Sequence, residues 1–178
     1  MITFNVAGML QEPPGATREV ALRDRYLSVG VDVELAGPVD GTLRMQRTNR
    51  GILLRGSVDA PVRRTCSRCL DPFVETVHLQ LAEEFLPTVD PQRGVPLPPP
   101  ASNEEALPID AQHQIDLTPI LHEELVLSEP MHPLCRADCP GLCPGCGRHM
   151  EVGSCDCATD EPDPRLAALA RLLEGTRD

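Results

Sequence analysis

The residues with the most chemistry to offer in this 178-residue chain are its eight cysteines. They fall into two groups. Cys66-Ser67-Arg68-Cys69 is a C-x-x-C step in the first half of the chain. Cys135, Cys139, Cys143, Cys146, Cys155 and Cys157 crowd into its last third. A C-x-x-C turn brings two thiolates to one metal ion, and a tetrahedral ion such as zinc, with Zn–S near ~2.3 Å, then needs two ligands from elsewhere. Cys143-Pro144-Gly145-Cys146-Gly147 has the form of a zinc knuckle: proline stiffens the turn and glycines let N–H groups face sulfur. Cys155 and Cys157 supply a second close pair, so Cys143, Cys146, Cys155 and Cys157 read as one four-sulfur set. Cys66, Cys69, Cys135 and Cys139 remain as a second set, which would staple the two halves of the chain together. Spacing leaves other pairings open, such as Cys66 and Cys69 with Cys143 and Cys146, with His132 and His149 as reserve ligands. One or two Zn2+ ions are expected. Four thiolates leave no position for water, so such a site is structural and not catalytic.

A thiol–disulfide or redox-sensing role is the competing reading, since C-x-x-C also marks thioredoxin-like centres. Those centres stand at a helix N-terminus, which lowers the thiolate pKa. Cys66 instead ends a strand-like run, and Leu70-Asp71-Pro72 opens no helix pattern. No nucleophile elbow, P-loop, dinucleotide fingerprint or HExxH motif occurs. Glu83-Glu84 and Glu123-Glu124 read as solvated faces. The chain is therefore expected to have no catalytic residues and no small-molecule substrate.

The elements that must position the cysteines are mostly strands. Ile2 to Val6 alternates apolar and polar residues. Tyr26 to Leu35 puts Val29, Val31, Val33 and Leu35 on one face. Asp40-Gly41 reads as a turn, Leu43 to Arg47 as a strand and Thr48-Asn49-Arg50-Gly51 as a further turn. Ile52–Val62 and Phe73–Phe85 complete an antiparallel sheet of about five strands. Residues 87–108, rich in proline, read as an extended linker. Residues 116–127 read as a helix with Asp116 or Thr118 as cap, Pro119 in the first turn, and Leu117, Ile120, Leu121 and Leu125 on one stripe. A last helix runs from Asp163, its cap, to Gly175, with a stripe of Leu166, Leu169, Ala170 and Leu173. The fold class is thus α+β: a mainly antiparallel β-sheet with two or three helices and a C-terminal Cys-rich zinc module. Residues 1–86 form the β domain with the first C-x-x-C, 87–108 the linker, and 109–178 the helical and Cys-rich part.

Composition narrows the function. Hydrophobic residues make up 41% of the chain, enough for a core, but aromatics only 2%, so that core rests on aliphatic residues and little ring surface remains for stacking on RNA bases. No apolar run approaches the roughly 18 residues of a membrane span, and Met1 to Val6 lacks the pattern of a signal peptide. The expected setting is the reducing cytoplasm, where clustered cysteines bind metal more often than they form disulfides. The net charge is −11, unevenly spread. Seven arginines against one acid lie between Arg44 and Arg68, and twelve acids against one base between Asp71 and Glu129, which implies faces with different partners.

Several motifs resemble, in order, those of the YceD family. They are Arg64-Thr65-Cys66-Ser67-Arg68-Cys69-Leu70-Asp71-Pro72-Phe73; Asp116-Leu117 with the acidic helix after it and Pro130; Cys139-Pro140-Gly141-Leu142-Cys143-Pro144 with Cys146-Gly147; Cys155-Asp156-Cys157; and Asp163-Pro164-Arg165-Leu166 with Leu169. The resemblance implies a part in accumulation and processing of 23S rRNA and in large-subunit assembly. Family members are often encoded beside a small large-subunit ribosomal protein, and the family has no established catalytic residues. Two kinds of partner follow. Large-subunit rRNA could meet the arginine-rich hairpin, through Arg63, Arg64 and Arg68 near the first cysteine pair. A basic ribosomal protein of the large subunit could meet the acidic stretch, and the net charge favours this second route.

Overall fold

The computed structural model describes residues 1–26, 32–98, 106–153 and 155–157. The helix expected from Asp163 to Gly175, and Val29 and Val31 of an expected strand, lie outside the described residues.

The scaffold is a six-stranded sheet. Its central strand, β5 (Ile52–Thr65), alternates, with Ile52, Leu54, Val58, Ala60 and Val62 buried and Arg55, Ser57, Asp59 and Arg63 turned towards solvent. All 14 residues of β5 pair antiparallel with β6 (Pro72–Pro87), from Ile52 opposite Phe85 to Thr65 opposite Pro72. On the other side of β5 runs β4 (Val39–Arg47), closed by the expected turn, in which the Thr48 N–H donates to the Gly51 carbonyl. β2 (Thr17–Arg25) flanks β4 antiparallel, and the two-residue β3 (Glu34–Leu35) takes over the edge of β5 where β4 ends. Pro61 lies in that last part of β5, where few neighbours require its missing N–H.

The remaining elements close the core. β7 (Leu107–Ile109) joins β6 in parallel, which returns the proline-rich segment to the sheet. Part of that segment is itself ordered: Val89 bridges Pro96 around a turn in which Asp90 accepts from the Gln92 and Arg93 N–H groups. β1 (Thr3–Asn5) pairs with β8 (Gln114–Asp116), and a single helical turn, α1 (Ala7–Leu10), buries Met9 and Leu10. In α2 (Thr118–Leu127), Asp116 Oδ1 accepts from the Thr118 N–H at 2.8 Å, while Thr118 Oγ1 accepts from the Ile2 N–H. The stripe of Leu117, Ile120, Leu121 and Leu125 is buried as its spacing predicts. One core therefore joins the N-terminal residues to α2 and the sheet, with Ile2 and Leu117 packed into the same cluster as Leu54 and Phe85.

Three expectations need correction. Asp40 and Gly41 lie inside β4 and make no turn. Gly41 is there for close approach, since a Cβ at that position would sit 2.4 Å from the Ser57 carbonyl oxygen. The expected strand over Tyr26–Leu35 reduces, among the described residues, to Glu34–Leu35; Tyr26 is exposed and Asp32 lies in a turn. β2 shows no strand periodicity in the sequence, because among its described side chains only Leu22 is buried and an edge strand dressed in charge alternates little.

Candidate metal centres

The β5–β6 hairpin ends in the first C-x-x-C. Thr65 is the last residue of β5, and Cys66 to Cys69 form the turn before Pro72 opens β6. The Cys66 N–H donates to the Asp71 carbonyl and the Leu70 N–H to the Cys66 carbonyl, which folds the turn tightly enough to force Leu70 to φ 64°. Non-glycine residues seldom adopt that conformation. The second C-x-x-C repeats the design. There the Gly147 N–H donates to the Cys143 carbonyl and Gly147 has φ 70°, now on a residue with no Cβ to object. Gly145 N–H points at Cys143 Sγ at 3.4 Å, and a Cβ on Gly145 would press on Cys157.

These turns assemble two groups of four sulfurs. Cys66, Cys69, Cys135 and Cys139 form one group and Cys143, Cys146, Cys155 and Cys157 the other; within each, the sulfurs lie within 4.8 Å of one another. All eight are free cysteines. In the first group Cys66 Sγ lies 3.8 Å from Cys139 Sγ, and Cys69 Sγ 3.8 Å from Cys135 Sγ. A tetrahedron with Zn–S of ~2.3 Å has edges of about 3.8 Å. The first site thus has the size of one mononuclear ion. The second is less regular, with Cys143 and Cys155 sulfurs 3.1 Å apart. Each group could hold a metal ion, and the spacing-based sets are the ones the fold brings together. His132 and His149 belong to neither group; His149 Nδ1 stands 3.5 Å from Asp71.

The electrostatics of the bare thiols fit a site built for a cation. Cys66 is lowered to about 6, by backbone N–H groups of Cys135 and then Cys69 donating to its sulfur against the effect of burial. Cys143 is also lowered to about 6, by the Cys155 thiol and then the N–H groups of Cys146 and Gly145. Their neighbours move the other way. At Cys69 the Asp71 N–H pulls downward, but burial and the adjoining thiols of Cys66, Cys139 and Cys135 together push it up to about 12. Cys157 is pushed up to about 12 by the thiols of Cys146 and Cys155 and by burial. Burial also raises Cys135. One thiolate discourages the next, a conflict that a dication among the four sulfurs removes. Neither C-x-x-C stands at the N-terminus of a helix, unlike a thioredoxin-type centre.

The first site ties distant parts of the chain together. Ser67 N–H and Oγ both donate to the Pro133 carbonyl, and Arg68 Nη1 donates to the Cys139 carbonyl at 2.9 Å. Cys66, Cys69 and Cys139 are buried beside Phe73 and Leu134 as a small cluster separate from the main core.

The arginines expected to face RNA are otherwise engaged. Arg64 has a side chain only 2% exposed; its Nε lies 3.0 Å from Glu75 Oε2, and Nη1 pairs with Glu129. Its place was legible, since it shares the inward parity of Val58, Ala60 and Val62. Arg63 pairs with Glu34 at 2.8 Å, and Arg68 serves the Cys139 carbonyl. Arg64 is thus a clamp on the end of α2, where Nη2 also reaches the Ser128 carbonyl. Replacement of Arg64 by Ala is expected to destabilise the fold by about 1–3 kcal/mol. Breaking a buried pair costs more, about 3–5 kcal/mol, but both glutamates here are half exposed and screened. Urea unfolding of the metal-loaded protein measures it, and an unchanged midpoint would count against the clamp.

A mainly antiparallel sheet thus carries two four-sulfur groups, one at a hairpin tip and one in the tail, each of which could hold a metal ion. The family model for the large ribosomal RNA subunit accumulation protein YceD matches residues 54–173, most of the chain and both cysteine groups, and the chain belongs to that family. A Mycobacterium tuberculosis protein described as uncharacterized is 31% identical over 149 residues, which cover 80% of this chain and 66% of its own length. A Mycobacterium leprae protein, described in the same way, is 29% identical over 143 residues, 80% of this chain and 63% of its length. The uncharacterized protein YlbN of Bacillus subtilis is 41% identical over 61 residues, 34% of this chain and 36% of its own. The chain thus spans just under two thirds of the mycobacterial relatives. No solved structure matches it. No helix among the described residues is long and apolar enough to cross a membrane.

Proposed function

We propose that this protein is a non-enzymatic factor supporting 23S rRNA accumulation and processing in large-subunit assembly, folded around two structural zinc ions in the reducing cytoplasm. The observation that carries this reading is the pair of closed four-sulfur groups in a chain of the YceD family. The zinc has a structural part: with every coordination position taken by sulfur, it supplies folding free energy and holds no water to activate. A groove of about 590 Å³ opens among the described residues beside the end of β6. Its lining is apolar residues, prolines, Thr88 and Arg50, with no acid–base pair. The partner lies in the large-subunit precursor, as rRNA or a basic ribosomal protein.

Metal analysis and sedimentation test this together. The purified native protein is expected to carry about two zinc ions with all eight thiols protected, and to cosediment with large-subunit precursors. Metal-free protein with one readily oxidised cysteine pair would favour the thiol–disulfide reading instead, and protein absent from every precursor fraction would overturn the assembly role.

A further inference from the structure

One face of the large sheet packs on the core and the other is open. On β4, Leu43 and Met45 are buried while Thr42, Arg44 and Gln46 are exposed; on β5, Leu54 and Val58 are buried while Arg55 and Ser57 point outward. At the centre of the open face Arg44 stands directly opposite Arg55. Like charges opposite one another weaken a sheet, so a natural sheet usually places an acid beside them. Glu19 on β2 is opposite Arg44 in register, and Ala82 on β6 is opposite Arg55, yet neither arginine side chain makes an ion pair or hydrogen bond with a described residue. Other arginines of the same stretch have partners. Arg47 donates to the carbonyls of Leu10 and Gly51, and Arg63, Arg64 and Arg68 are engaged as described above. What remains, among the described residues, is a pair of guanidinium groups that hold no ion-pair partner, in a chain of net charge −11.

We infer that this open face, centred on Arg44 and Arg55, contacts the phosphodiester backbone of large-subunit rRNA. The inference rests on the assembly role proposed above and names the surface that performs it. Directly opposed residues on neighbouring strands have Cα atoms about 5 Å apart, so the two planar forks can share one phosphate or grip two successive ones. Arginine suits this geometry, with fixed donors that match the oxygens of a phosphate. β4 and β5 carry no Phe, Tyr or Trp, so Arg44 and Arg55 have no ring beside them on their own strands for a base to stack on, and contact falls on the backbone without reading sequence. A basic ribosomal protein would meet repulsion here. The acidity of the rest of the chain confines RNA to this spot and keeps the footprint small.

A small footprint fixes the salt dependence. With about two phosphates neutralised, the logarithm of the affinity should fall with the logarithm of salt with a slope of about −1.4 to −1.8. The test uses the full-length, metal-loaded protein in filter binding with fragments of 23S rRNA over a salt series. Arg44→Gln/Arg55→Gln is compared with the wild type, with Arg18→Gln, whose arginine pairs with Glu12, as control. The double variant is expected to lose at least tenfold in affinity and most of the salt slope, while the control binds as the wild type does. Relief of like-charge repulsion should leave the double variant folded, which circular dichroism checks. Equal binding by the double variant, or no binding of rRNA by the wild type, overturns the inference. Sedimentation with large-subunit precursors separates the two levels. Wild-type protein that cosediments but ignores isolated rRNA sinks this surface, leaves the assembly role standing and points to the acidic stretch. Wild-type protein that does not cosediment sinks the role itself.

Discussion

Removal of metal from Cys66, Cys69, Cys135 and Cys139 is expected to release residues 128–157 from the sheet while the sheet itself stays folded. Among the described residues the main core ends in sequence at Leu125, and beyond it they have almost no apolar interior. Met131 is 94% exposed and Val152 83% exposed, so these side chains hold nothing. Apart from sulfur, hydrogen bonds such as those from Ser67 to Pro133 and from Arg68 to Cys139, together with the Arg64 clamp, fix the tail. A hydrogen bond contributes about 1 kcal/mol net, whereas structural zinc in small peptides contributes on the order of 10 kcal/mol. The metal term dominates. After exhaustive chelation, trypsin should cut at Arg136 and Arg148 within minutes, and amide protection should vanish in the tail but persist in β4, β5 and β6. Cys139→Ser should have the same effect without chelator. Cys146→Ser should free only the second centre, because the first shares none of its ligands. A tail still protected from protease after chelation would mean that packing, and not metal, holds it.

Phe85→Ala is expected to have the largest effect of any single core substitution, lowering stability by about 3–5 kcal/mol. Phe85 is 1% exposed and stands where four elements meet. It faces Ile52 of β5 on one side and Leu107 of β7 on the other, and shares a cleft lining with Pro119 and Ile120 at the start of α2. The chain has three phenylalanines and no tryptophan, and the other two, Phe4 and Phe73, are only partly buried at the core margins. No neighbouring ring can swing into the vacated space, so most of the cavity should persist. With a urea slope of about 2 kcal/mol per M, the midpoint should fall by roughly 2 M. A shift under about half a molar would show that the core closes without this ring.

The sheet and the sulfur sets were legible in the sequence to different depths. The β4–β5–β6 meander announces itself because each strand has one buried face, so apolar residues recur at every second position, and the Thr48–Gly51 turn punctuates it. The two cysteine groups were legible because C-x-x-C is a local geometry, although only the fold decides which pairs meet. Short elements were not legible. β7 and β8 have three residues each, too few for periodicity, and β7 pairs in parallel with β6 only because a proline-rich excursion brings it back. Gly41 misleads for a related reason: its missing side chain serves a contact with the backbone of Ser57 on the neighbouring strand, which no local pattern encodes. The burial of Arg64 was encoded in its parity but hidden by its charge, since an inward arginine needs acids that sequence cannot place beside it.

The two centres differ in the length of chain they close, and this sets an order of events during synthesis. Cys143 and Cys155 are 12 positions apart, whereas Cys66 and Cys139 are 73 apart. The second centre can form as soon as its own short loop has left the ribosome. The first waits for the hairpin tip to be built and then for the tail to arrive, so a nascent chain stopped short of Cys135 offers only two of its four ligands. A filled first centre is therefore a record that translation has passed this point and that both halves have found each other.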